Sequence, residues 1–160
     1  MQPGVGEGSF AGTALQMKTM YTARATADDA GRNGHAATDD GNVDVDLAMP
    51  VAMGGPGGPG TNPEQLFAVG YAACFANALR SAARKLRKED AAAGATVTAE
   101  VDIGRIDGGR FGLSVRLDAT LPAAGQADAD ALMALAHERC PYSNATRGNI
   151  DVELTARGCV

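Results

Sequence analysis

The chain has 160 residues, no tryptophan, only four phenylalanines and three tyrosines. Large side chains are scarce as well, because 32 of its apolar residues are alanine. A helix that buries mostly alanine removes little apolar area from water. The composition therefore predicts support from outside the monomer, most simply an obligate homodimer. Positive charge is also in deficit. Fourteen Lys and Arg stand against nineteen Asp and Glu, for a net charge of −5, which argues against general nucleic-acid binding. No stretch approaches 18 consecutive large apolar residues, so no membrane span is expected. The opening MQPGVGEGSFAGTALQ lacks the basic start and apolar run of a secretory signal. Three cysteines are too few for a disulfide scaffold. These absences read as one domain of ordinary length in the cytoplasm. There a cysteine is reduced and buried, catalytic or metal-bound.

Residues 1–16 are glycine-rich and weakly patterned, and read as a loosely ordered extension; 17–160 read as a single domain. Residues 17–27 alternate apolar and Thr positions, which predicts a strand, and 28–33 a turn. In 42–47, Val43, Val45 and Leu47 alternate with Asp44 and Asp46, the pattern of a half-buried strand. The run MGGPGGPG at 53–60 is a flexible loop. A long helix follows, starting within one residue of Pro63. Thr61 as N-cap would form a capping box with Glu64; Asn62 as N-cap would put Pro63 at its favoured first position. The helix's first half is apolar almost all round and is expected to be buried; its second half, RSAARKLRK, is basic and solvated. Gly70, Ala73, Cys74 and Asn77 share a small-residue face that admits another backbone.

Strands are predicted at 95–106 and 111–121, joined by a hairpin turn at Asp107-Gly108-Gly109-Arg110. A second helix spans about 128–140, stopped by Pro141, and 149–156 make a last strand. Strands, helix, strands, helix, strand is an α+β order with a largely antiparallel sheet, not a βαβ repeat.

Few constellations suit chemistry. The Gly-rich loop precedes a helix, but no Lys-Ser/Thr follows it, so it is not a P-loop. Cys74, Cys140, Cys159, His35 and His137 are the candidate metal ligands, yet none shows CxxC or HxxxH spacing; only His137 and Cys140 share a helix at i, i+3. Cys74 sits within an apolar stretch, where burial would raise its pKa and leave it inert. A reactive role requires a cation to favour the thiolate and a second thiol to release the oxidised sulfur. Cys159 beside the C-terminus reads as an exposed tail thiol.

The segments TNPEQLFAVGYAACF (61–75) and CPYSNATRGNIDV (140–152) resemble the two signature regions of the organic hydroperoxide resistance proteins, the Ohr branch of the Ohr/OsmC family. The segment MKTMYTARATADDAGRNG and the loop GGPGGPG are similar to the family pattern too, so the resemblance spans about 17–156. It implies a peroxidase for organic hydroperoxides, fatty-acid hydroperoxides among them. Carried onto this chain, Cys74 is the peroxidatic cysteine and Cys140 the resolving one. Arg32 stabilises the thiolate, and Glu64 holds Arg32. The resemblance further implies an intertwined α+β homodimer with a long central helix and a second helix per subunit. The external reductant would be dihydrolipoamide on lipoylated enzymes, with no bound cofactor or metal. Leu66, Phe67, Tyr71 and Phe75 are candidates to line an apolar substrate pocket. Arg147 reads as structural. The alternatives to this reading are an OsmC-like peroxidase of broader substrate use and a non-enzymatic thiol redox sensor.

Overall fold

The computed structural model describes residues 17–160; the expected N-terminal extension lies outside the described residues. The described residues form two three-stranded sheets and three α-helices, with short 3-10 turns between them. The first sheet is an antiparallel set of short strands, β1 (Ala25–Ala27), β2 (His35–Thr38) and β3 (Asp44–Asp46). It is smaller than the sequence pattern predicts. Residues 17–24 form no strand, and β2 was not expected. The HAAT sequence of β2 has no large apolar side chain to alternate. What holds it is pairing on both edges, with His35 placed between Asp44 and Asp46 of β3 at 3.2 and 2.9 Å.

Helix α1 (Pro63–Leu86) has 24 residues. Its cap decides between the two expected starts. The Gln65 amide donates to Asn62 Oδ1 at 2.9 Å, Pro63 occupies the first turn, and Thr61 bonds the Gln65 side chain instead. Asn62 is the N-cap, and Glu64 is left free for another partner. The Gly-rich loop before α1 is tied at its base by Ala48 and Thr61, whose backbones exchange bonds with Thr61 and Asp46.

The second sheet has the order β4 (Thr96–Arg105), β5 (Phe111–Leu121), β6 (Val152–Gly158). β4 and β5 form the expected hairpin, from Arg105 opposite Phe111 to Thr96 opposite Thr120. β6 departs from expectation, because it runs parallel to β5. The cause is the connection. After β5 the chain crosses back through α2 (Gln126–Arg139) and α3 (Pro141–Thr146), and such a helical crossover returns it in the same direction. The sheet is therefore mixed.

The core forms where α1, α2 and the second sheet meet. Tyr71, Phe75 and Leu79 of α1 pack with Val115, Leu117 and Leu121 of β5 and Leu132 of α2. The strict alternation in β5 puts every second residue from Val115 to Leu121 inside. Alanines at 78, 82, 83, 129 and 136 fill the helix contacts. By length and composition α1 is apolar enough to cross a membrane, contrary to the expectation drawn from its lack of large side chains. Here it is the central core helix, but only one side of it is covered. Leu66 is 38 % and Val69 69 % exposed, and Ala73 and Asn77 are exposed beside them. Burial all round the first half of α1 is thus not met within a single chain.

Candidate active site

The break between α2 and α3 positions the second thiol. α2 ends before Pro141, as expected, but Pro141 then opens α3, because a residue without an amide proton suits a first turn. Cys140 is the single extended residue between the two helices, its amide still bonded to the Ala136 carbonyl at 2.8 Å. Its side chain therefore projects from a fixed corner.

Three features clamp α3 onto α1. The Tyr142 ring lies on Gly70; a Cβ at position 70 would stand 2.8 Å from the Tyr142 hydroxyl. Phe67, Tyr71 and Tyr142 form a triangle of rings with centroids 5.5–5.9 Å apart. The buried Tyr71 hydroxyl lies 2.9 Å from Ser143 Oγ and 3.2 Å from Thr146 Oγ1. Removing this hydroxyl by Tyr71→Phe leaves buried Ser143 short of a partner. The expected cost is about 1–2 kcal/mol, read as a lower urea midpoint at an unchanged slope. An unaltered midpoint would show that the network does not hold α3. Arg147 closes the segment by donating to the His137 carbonyl at 2.8 Å and to Asn144 Oδ1. That is the structural part expected of it.

The result of this clamping is a thiol pair. The sulfurs of Cys74 and Cys140, 66 residues apart in sequence, lie 3.5 Å from each other. The two differ in access: Cys140 is fully buried, whereas Cys74 is partly exposed. Burial pushes the Cys74 thiol up from its usual pKa, the Tyr142 amide opposes this, and the adjoining Cys140 adds to it. Cys159 is exposed and follows the last strand, outside the contact between the other two thiols.

Arg32 lies on the turn between β1 and β2, and Glu64 on the first turn of α1. They form a two-pronged ion pair, with Arg32 Nη1 to Glu64 Oε2 at 2.8 Å and Nη2 to Oε1 at 2.7 Å. The bonds to Arg32 hold the Glu64 carboxyl below its usual range. The pair therefore persists at neutral pH and is lost only on acidification through that lowered value. What the pair does not do, within one chain, is touch Cys74. Glu64 precedes Cys74 by ten residues, about 15 Å along a helix axis, and Arg32 is not among the groups that shift the thiol. The side-chain bonds that Arg32 makes among the described residues go to Glu64.

The expected pocket residues divide. Phe67 lines a groove of about 600 Å³ with Tyr142, Phe111, Leu113 and Ile150, and also a smaller cavity of about 300 Å³ that includes Arg32 and Glu64. Tyr71 and Phe75 are fully buried core residues and line neither. Leu66 is part of the exposed stripe of α1 and lines neither. Sequence reasoning missed the hairpin residues Ile106 and Phe111, 47 % and 61 % exposed. Large apolar residues flanking a turn were the signal that marks them.

The chain matches the family model described as OsmC-like protein over residues 55–155. It is 49 % identical over 138 residues to the organic hydroperoxide resistance protein of Xanthomonas axonopodis pv. citri, covering 86 % of this chain and 95 % of the relative. It is 46 % identical over 136 residues to the organic hydroperoxide resistance protein OhrB of Bacillus subtilis, covering 84 % and 96 %. Among solved structures, an organic hydroperoxide resistance protein from Legionella pneumophila superimposes with a TM-score of 0.82 at 48 % identity, over 88 % of this chain and 99 % of that one. Family model, relatives and fold agree with the motifs around the two cysteines: the chain belongs to the OsmC-like family, in its organic hydroperoxide resistance branch.

Proposed function

We propose that the protein is a thiol peroxidase that reduces organic hydroperoxides to alcohols. The observation that carries this reading is a partly exposed thiol 3.5 Å from a fully buried one. The Cys74 thiolate attacks the terminal peroxide oxygen; the O–O bond breaks, the alkoxide takes a proton and leaves as alcohol, and Cys74 becomes a sulfenic acid. The Cys140 thiolate then attacks that sulfur and forms a disulfide, whose S–S bond is about 2.05 Å, while the hydroxide it expels takes a proton and leaves as water. Only a small approach of the two sulfurs is required.

A dihydrolipoyl group on a lipoylated enzyme reduces the bridge by two thiol–disulfide exchanges and becomes the cyclic disulfide. No bound metal or organic cofactor takes part. Because such donors are intracellular enzymes, the protein works in the cytoplasm. It works as a homodimer. The uncovered stripe of Leu66, Val69 and Ala73 on α1 supports this, as does the separation of Arg32 from Cys74 in one chain. A second copy packed against that stripe with its α1 antiparallel brings its own Arg32–Glu64 pair to Cys74. There the guanidinium lowers the thiol pKa and stabilises charge on the departing alkoxide.

With cumene hydroperoxide as oxidant and lipoamide recycled by lipoamide dehydrogenase, steady NADH consumption is expected at a rate proportional to protein. Glutathione in place of dihydrolipoamide should support little. A single burst of oxidation without sustained turnover would instead indicate a redox sensor.

A further inference from the structure

Arg32 is presented from a loop with little structure of its own. Residues 28–34 join β1 to β2 and carry Arg32 between Gly31 and Asn33. The backbone closes a single 3-10 turn. In it the Asn33 amide donates to the Ala30 carbonyl and the Gly34 amide to the Gly31 carbonyl, both at 3.2 Å. Gly31 has a φ of +57°, which a side chain would resist. No residue of the loop is buried. Fixing it costs conformational entropy that burial of its own side chains does not offset. A guanidinium carried on such a loop keeps its place only if something other than packing holds the backbone.

The side chain of Asp28 does so. Its Oδ1 accepts from the Ala30 amide at 3.2 Å and its Oδ2 from the His35 amide at 3.0 Å. The Asp28 amide in turn donates to the His35 carbonyl at 3.1 Å. One carboxylate thus grips the loop on both sides of Arg32. Among the described residues Asp28 makes no ion pair, so both oxygens serve the loop. Gly34 completes the arrangement, because a Cβ there would overlap Asp28 Oδ1. The carboxylate fills the space that the glycine leaves. Two further bonds tie the loop outward: the Leu47 amide to the Gly34 carbonyl at 2.8 Å, and the Met49 amide to Asn33 Oδ1 at 3.0 Å.

We propose that Asp28 is a positioning residue for Arg32. It bonds neither Arg32 nor Glu64. The bonds to Glu64 fix the far end of the Arg32 side chain, and Asp28 fixes the backbone from which that side chain starts. This rests on the reading above in which Arg32 activates Cys74, and it adds the group that sets Arg32. Carboxylate bonds to backbone amides are charge-assisted. A displacement of about 1 Å at a positioned group can cost about a hundredfold in rate, so a modest loosening of the loop is enough to be read in turnover.

The test uses the full chain in a Cys159→Ser background, which removes the exposed thiol. Two quantities are read: kcat/KM for cumene hydroperoxide with dihydrolipoamide, and the pH midpoint of Cys74 alkylation by iodoacetamide. Asp28→Ala should lower kcat/KM about tenfold and move the alkylation midpoint to higher pH. Asp28→Asn keeps one acceptor oxygen and should recover part of both. Gly34→Ala displaces the carboxylate without removing it and should reproduce the Asp28→Ala pattern. In an Arg32→Ala background, Asp28→Ala should change kcat/KM by less than about twofold, because the group it positions is gone. Losses that multiply in the double variant would overturn the inference. So would a lower unfolding midpoint in Asp28→Ala with kcat/KM and the alkylation midpoint unchanged, which is the signature of a purely structural residue. A large effect of Arg32→Ala beside none of Asp28→Ala overturns the inference alone. Native kcat/KM and a native alkylation midpoint in Arg32→Ala itself would overturn the activation reading together with it.

Discussion

Cys74→Ser is expected to reduce turnover of cumene hydroperoxide to the rate of the protein-free blank. Peroxide cleavage needs a polarisable anionic nucleophile, and a serine hydroxyl is protonated at any pH the fold tolerates. The buried neighbour offers no substitute, because Cys140 has no exposed surface. The effect should be on chemistry alone. Serine is close to isosteric, and Cys74 is only partly buried, so the unfolding midpoint should move little. Cys159→Ser is the matched control. It removes an exposed thiol and should leave the rate unchanged. Residual activity of Cys74→Ser above a small fraction of the native rate would assign the first step elsewhere.

Cys140→Ser should separate the two halves of the cycle. The first equivalent of hydroperoxide is still reduced, since Cys74 and its surroundings are retained. The sulfenic acid then has no thiol at 3.5 Å. With excess peroxide it advances to the sulfinic acid, which thiols do not reverse. Mass spectrometry should therefore find one alcohol released rapidly, then a Cys74 that gains a second oxygen and a protein that no longer turns over. Sustained native-like turnover in this variant would mean that the external dithiol attacks the sulfenic acid directly. Cys140 would then be a packing residue.

Much of this arrangement was legible in the sequence, for identifiable reasons. The hairpin of β4 and β5 is written in strict alternation and a two-glycine turn, and α1 in its cap and its length. The two cysteines stand out through the motifs around them. Their contact was not legible, because it depends on α3, and α3 depends on reading Pro141 as a helix start. Pro141 is compatible with either role; the buried hydroxyls of Tyr71, Ser143 and Thr146 decide it. β2 has almost no pattern of its own, and the direction of β6 is set by the crossover rather than by its residues. Tyr71 and Phe75 lie on the covered side of α1, in the core cluster shared with the second sheet and α2, so their rings became core and not pocket. The alanine-rich composition predicted a surface in need of a partner. Within the single chain, the apolar surface left uncovered on α1 is the stripe of Leu66 and Val69.

The most direct measurement is peptide mapping of the fully reduced native protein after one equivalent of cumene hydroperoxide, quenched with a thiol-blocking reagent. The account predicts one cumyl alcohol per chain and a bridge linking the peptides of Cys74 and Cys140, with Cys159 free and blocked. Unbridged Cys140 beside an oxidised Cys74, or a bridge made by Cys159, would contradict it.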